Sequence, residues 1–342
     1  DAYIRDTKDM LMAGKTLPGV YGASSPRMNV ADLRTKGWEA SITWGDSFTL
    51  ASKPFNYRVM AGIGDNTSKV TKYDNPNRTL TDPYEGQQLG EIWGYVVDGY
   101  FKTDEEARNY KVDQSFVNQM INASALDNGL HAGDLKFVDL DGNNKIEQTT
   151  SANDRKDMKV IGNSLPRYNY NFGISADWYG IDFSVLFQGI GKQNWYPGAE
   201  TSMFWGPYSR PYASFIPSDF MSQVWSEENT DAYFPRPRGY VALGSNRELA
   251  VVNTKYLQNL AYCRLKNLSI GYTLPDKWLS KIGFEKIRVY FSGENLLTFT
   301  KLHSDYIDPE QASASNSWKT SKSDANIYPW AKTYSFGVDI TF

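Results

Sequence analysis

Apolar and polar residues alternate along several stretches of this chain, most regularly over residues 167–188. Tyr168, Tyr170, Phe172, Ile174, Ala176 and Trp178 share one parity, and Asn169, Asn171, Gly173, Ser175 and Asp177 the other. After Tyr179-Gly180 the pattern restarts, with Ile181, Phe183, Val185 and Phe187 against Asp182, Ser184 and Gln188. Strand side chains point alternately to opposite faces, so each segment has one apolar and one polar face. Both segments exceed the usual strand of about 5–6 residues and match the roughly 9–11 of a tilted membrane-crossing strand. Such a hairpin suits an outer-membrane barrel, greasy toward lipid and polar toward the lumen; on its own it also suits a soluble β-sandwich.

The pattern recurs in Trp38, Ala40, Ile42 and Trp44, and in Phe55, Tyr57, Val59, Ala61 and Ile63, where Arg58 faces the other way. It returns over 267–273, in Ile287, Val289 and Phe291, and in Tyr334, Phe336, Val338, Ile340 and Phe342. Residues 2–12 alternate weakly, and 13–28, rich in Gly, Pro and Ser, read as a loop. Irregular segments fill about 65–166, 191–261 and 301–329, with short helices expected at 104–110, 113–122, 218–227 and 275–282. Numbered back from Phe342, connections alternate long and short. Barrels of the outer membrane have short turns on one side and long loops on the other, whereas a sandwich has no reason to sort its loops. The expected fold class is therefore all-β, a transmembrane antiparallel barrel.

Composition adds constraints. The sequence has 342 residues, 15% aromatic, and a net charge of −3 from 36 basic and 39 acidic residues. That even mixture does not suit a nucleic-acid binder. No apolar run reaches the roughly 20 residues of a membrane helix, a test that barrel strands escape because half of each is polar. Cys263 is the single cysteine and reads as a small packed residue, and no disulfide framework is available. The chain opens on Asp1 without an initiator Met or signal peptide, as expected of a processed chain or a piece of a longer one.

Several segments carry a resemblance. Gly94-Tyr95-Val96-Val97-Asp98-Gly99-Tyr100-Phe101 precedes a short helix, and Gly133-Asp134-Leu135-Lys136-Phe137-Val138-Asp139 leads through Asn153-Asp154-Arg155 to Ile161-Gly162-Asn163-Ser164-Leu165-Pro166. Arg264-Leu265-Lys266-Asn267-Leu268-Ser269-Ile270-Gly271-Tyr272 and Arg288-Val289-Tyr290-Phe291-Ser292-Gly293-Glu294-Asn295-Leu296 are the most specific, and 328–342 follows. In this order they resemble the C-terminal part of a SusC/RagA-like TonB-dependent outer-membrane transporter. The resemblance implies the last strands of a barrel of about 22, with 66–166 and 192–261 as long extracellular loops and the plug and N-terminal strands outside this chain. It implies the outer membrane of a Gram-negative bacterium, a SusD-like surface lipoprotein and the TonB complex as partners, and import of oligosaccharides, with peptides as the alternative cargo. A terminal strand ending on Phe342 resembles a barrel-assembly signal. An eight-stranded barrel closed by this chain alone, and a soluble glycan-binding β-sandwich, are the competing architectures.

Candidate sites are few. Asp139-Leu140-Asp141-Gly142-Asn143-Asn144-Lys145-Ile146-Glu147 resembles the start of an EF-hand-like calcium loop. Asp139, Asp141, Asn143, the carbonyl of Lys145 and a late carboxylate, Asp154, would supply oxygen ligands, although Asn144 stands at the usual glycine. Trp195, Tyr196, Trp205 and Tyr208, with Phe204, Tyr212 and Phe215 nearby, could stack on sugar rings or anchor a partner; packing inside their own long loop is expected for most. With His131 and His303 the only histidines, each expected in a solvated loop, catalytic triads and multi-histidine zinc sites lack raw material, and the chain is not expected to be an enzyme.

Overall fold

The computed structural model describes residues 1–14, 19–22, 25–118, 129–210, 215–244, 247–279, 283–312, 322–323 and 328–342. Eight strands form one antiparallel sheet: β1 (Ala2–Ala13), β2 (Arg27–Leu50), β3 (Lys53–Lys72), β4 (Arg167–Trp178), β5 (Ile181–Lys192), β6 (Tyr262–Thr273), β7 (Lys286–Thr300) and β8 (Thr333–Thr341). Each pairs with its neighbours in sequence, without a crossover, and β1 and β8 stand at opposite edges. The sheet does not close on itself among the described residues, so the eight-stranded closed barrel is not what this chain forms. At one end the links are short: Ala51 and Ser52, Tyr179-Gly180, and 274–285 with a helical turn at Asp276–Leu279. Ala51, Ser52, Tyr179 and Gly180 all have positive φ, the geometry that matches a two-residue turn to the right-handed strand twist. The connections from β1 to β2, β3 to β4, β5 to β6 and β7 to β8 leave from the other end.

Register sorts the two faces. Tyr57, Ala176, Phe183, Ile270, Phe291 and Phe336 stand side by side in one row on the apolar face. No second sheet covers them: Ile42, Trp44 and Phe336 are 67%, 60% and 83% exposed. An uncovered apolar face spanning eight strands exceeds what a water-soluble surface tolerates, which argues against the β-sandwich. Aromatic rings concentrate near the short-turn end, where Phe48, Phe55 and Tyr57 pack together and Lys53 lies over Tyr179.

The strands outrun the alternation. β2 has 24 residues and β3 has 20, pairing from Leu50↔Lys53 to Asp32↔Lys72. Beyond Trp38 the alternation is lost, with Lys36 and Arg34 on the formerly apolar parity and Leu33 and Ala31 on the other, while the backbone ladder continues. The long loops pack into one common core rather than three. Tyr95, Leu135, Phe137 and Ile146 of the first meet Trp195, Trp205, Phe234 and Tyr256 of the second and Leu302 and Ile307 of the third. The helices expected there shrink. Asp104–Arg108 forms, capped by the Thr103 side chain on the amide of Glu106. Residues 113–118 make a turn instead, and 119–122 lie outside the described residues. Phe220–Gln223 is a single 3-10 turn, because Gln223 and Trp225 exchange backbone hydrogen bonds with Phe234 and draw the chain into extended pairing.

Candidate functional site

The polar face of the sheet is built from small and hydrogen-bonding residues. Ser175, Ser184, Ser269, Ser292 and Ser335 form one row that begins with Arg58. Nearer the short turns, Arg288 reaches across β6 to donate to both oxygens of Asp182, at 2.8 and 2.7 Å, and also bonds Asp339 on β8. Gly271 makes this crossing possible, since a Cβ there would lie 2.5 Å from the guanidinium. Toward the long-loop end, an open hollow of about 820 Å³ is lined by Glu39, Ser41, Gly62, Gly64, Asn169 and Asn171. This wall presents hydroxyls, amides and carboxylates to whatever occupies it.

The third loop folds onto that face and is fastened there. Arg264, 2% exposed, donates to Thr298 Oγ1, Asp308 and Glu310, at 2.9, 2.6 and 2.6 Å. Lys266 holds the other side of Glu310, and the backbone N–H of Trp330 donates to Asp308. The Arg264–Asp308 bond spans 44 positions, and nothing in the linear pattern signals it.

The aromatic candidates of the second loop are interior. Trp195, Tyr196, Trp205 and Tyr208 are each at most 1% exposed, in the middle of the loop core. Their polar tips are spent on backbone carbonyls: Trp205 Nε1 donates to Gly198, Tyr196 Oη to Leu249 and Tyr208 Oη to Pro235. They pack, and offer no ring face to a ligand in this structure; Phe215 alone of those named nearby is well exposed, and Tyr212 lies outside the described residues. The same core encloses two carboxylates, Asp134 and Glu248, both 0% exposed. Arg238 donates to Asp134, and Glu248 Oε2 accepts from the amide of Leu135 while its Oε1 stands 3.6 Å from Arg238 Nε. Burial, then the charge of Asp134, pushes the Glu248 carboxyl up to about 8, with Arg238 working against it. These three residues join the first loop to the second. The histidines differ from expectation in one case: His131 lies near exposed Asp104, but His303 stacks on Tyr233 at 3.5 Å and bonds Gln223.

The acidic loop forms a tight turn held by its own side chains. Asp139 accepts from the amides of Gly142 and Asn144, Asp141 from Asn143, and Asn143 from Lys145. Asn144 takes φ +61°, the left-handed conformation that glycine usually supplies at that position. The third carboxylate, however, is Asp157. Its oxygens and those of Asp139 and Asp141 lie within 4.8 Å of one another, and backbone amides of Leu140 and Glu147 orient it. Asp154, the expected closing acid, instead sits in a separate turn with Ser151. Burial raises the Asp157 carboxyl above the ordinary range, and the charges of Asp141 and Asp139 add to it. Three converging carboxylates could supply oxygen ligands to a hard divalent ion.

No family model matches the chain. Curated relatives do. TonB-dependent receptor P3 of Formosa agariphila is 27% identical over the whole chain, which spans 32% of that protein. TonB-dependent receptor P39 of the same organism is 25% identical over all of it, and TonB-dependent receptor SusC of Bacteroides thetaiotaomicron 22%. The chain thus spans about a third of the length of the relatives it matches. Among solved structures, the RagAB peptide transporter superposes over the full chain with a TM-score of 0.64 at 21% identity, covering 33% of that chain. The RagAB peptide importer in its closed-closed state gives 0.65. From end to end, then, the chain is similar to TonB-dependent receptors of the SusC/RagA-like kind, as its motifs indicate.

Proposed function

We propose that this chain supplies wall strands and outer loops of a 22-stranded outer-membrane importer driven through TonB. One observation carries the reading: an uncovered apolar face on strands whose long loops all leave at the same end. In lipid the backbone must be fully paired, which a sheet achieves only when its edges are joined to further strands, and the open edges at β1 and β8 fit a larger barrel. The connections after Lys72 and after Lys192, rather than the expected 66–166 and 192–261, form the external vestibule, since 66–72 continue β3, and a SusD-like lipoprotein docks above it. The polar face, with its serine row and amide-lined hollow, faces the translocation path.

Two cargo classes fit this wall. Oligosaccharides would use its hydroxyls and amides; the candidate stacking rings Trp195, Tyr196, Trp205 and Tyr208 do not support them, because all four are buried. Peptides gain support from the fold of the RagAB neighbours, which are peptide importers. Calorimetry of the full-length receptor with oligosaccharide and peptide mixtures separates the two. The membrane reading itself rests on a simpler measurement: the receptor stays monodisperse only in detergent, and a monodisperse detergent-free protein would overturn it.

A further inference from the structure

On the upper part of β1, β2 and β3, the side that carries the apolar face ends in cations. Counting along β2, Trp44, Ile42, Ala40 and Trp38 are followed on the same parity by Lys36 and Arg34. Register places Lys36 between Ile4 and Thr67, and Arg34 between Asp6 and Lys69. Lys36, Arg34 and Lys69 therefore occupy two successive rows, starting one row beyond Trp38, or about 7 Å along the strand. Ile4 of the same rows is 66% exposed, so the cations begin where the apolar surface ends.

Charge is not balanced here. Arg34 is taken by Asp6, through two parallel bonds of 2.7 and 2.9 Å. Asp65, opposite Trp38 in the row below, is held by Arg167. Lys36 and Lys69 are exposed, are diagonal neighbours, and have no ion-pair partner among the described residues. Two free ammonium groups beside a carboxylate-bound guanidinium, at the rim of an apolar belt, form a surface complementary to an anion whose other end is hydrocarbon.

We propose that Lys36 and Lys69 bind the phosphate of an anionic lipid headgroup in the outer leaflet, with the Arg34–Asp6 pair as a rigid floor. The inference rests on the membrane reading above. Long lysine stems lie along apolar surface while their ammonium groups reach the headgroup layer, so the two lysines hold one phosphate from the protein side of the lipid shell. The binding ties these long strands, which carry the first loop, to the membrane surface.

The test uses the full-length receptor, first shown to require detergent, so that failure of the membrane reading is recognised separately. The delipidated receptor is titrated with phosphatidylglycerol, phosphatidylcholine and inorganic phosphate, and bound molecules are counted by native mass spectrometry. Wild type is expected to retain phosphatidylglycerol over phosphatidylcholine. Lys36→Gln/Lys69→Gln is expected to lose that preference, by about fivefold per lysine, while Lys36→Arg/Lys69→Arg keeps it. Equal phosphatidylglycerol binding by wild type and the glutamine variant overturns the proposal. So does lysine-dependent binding of inorganic phosphate without any preference for the anionic lipid.

Discussion

Glu248 shows what a single buried group implies. The folded chain holds its proton until about pH 8, whereas an unfolded chain releases it near the ordinary carboxyl value of 4.5. Between those values the folded form binds more protons, so this contribution to stability is complete below pH 4.5, falls across the window, and is gone above pH 8. Asp134, raised by its own burial, acts in the same direction. Glu248→Gln mimics the protonated acid. Melting curves should show the variant matching wild type near pH 5 and exceeding it at pH 8 by on the order of 1–3 kcal/mol, the usual cost of an unsatisfied buried polar group; parallel pH profiles would count against a proton held on Glu248. At the acidic loop, calcium should raise the receptor's melting temperature, since an ion bound only by the folded state stabilises it. Asp157→Asn should abolish that response and Asp154→Asn should leave it, because only Asp157 joins Asp139 and Asp141. The turn from Asp139 to Lys145 was legible in the sequence, but the approach of Asp157 was not. Only the backbone amides of Leu140 and Glu147, reaching back to Asp157, bring that carboxylate in.

Among the elements, the strands were legible where one face is apolar and invisible where the alternation is lost. β4 and β5 match the alternation, while β2 and β3 extend well past it through a continuous backbone ladder and the Thr35–Ser68 hydroxyl bond. Close approach between strands is equally hidden. A Cβ on Gly189 would lie 2.1 Å from the carbonyl oxygen of Tyr262 on β6. Gly189→Ala must separate β5 from β6 or displace Tyr170, and is expected to destabilise the receptor by about 1–3 kcal/mol, the usual cost of overpacking; an unchanged melting temperature would contradict this packing. The third loop depends on Arg264. Arg264→Met leaves Asp308 and Glu310 with only Lys266 as a cation, and removal of one partner from a buried ion pair costs about 3–5 kcal/mol. Protease cleavage within 301–312 should therefore accelerate while the sheet stays intact.

For the whole molecule, the apolar face decides where the protein lives. Phe336→Lys places an ammonium at the β8 end of the row that runs through Phe183, Ile270 and Phe291. A lysine at the bilayer midplane costs about 2–4 kcal/mol on a barrel's lipid face. Insertion into vesicles should fall accordingly, whereas Ser335→Lys on the opposite face should insert normally. Equal insertion of both variants would remove the lipid from the argument.

The sequence by itself determined the faces, the short turns, the side on which the long loops emerge, and the resemblance to TonB-dependent receptors, because a two-residue period and local turn chemistry are encoded by near neighbours. Tertiary structure alone decided that Trp195, Tyr196, Trp205 and Tyr208 are core, that Asp157 completes the acidic cluster, and that Arg264 and Arg238 fasten distant loops. Those outcomes depend on residues far apart in sequence meeting in one place, as Leu135 and Glu248 do across 113 positions. Burial and ion pairing belong to that meeting, and no local pattern carries them.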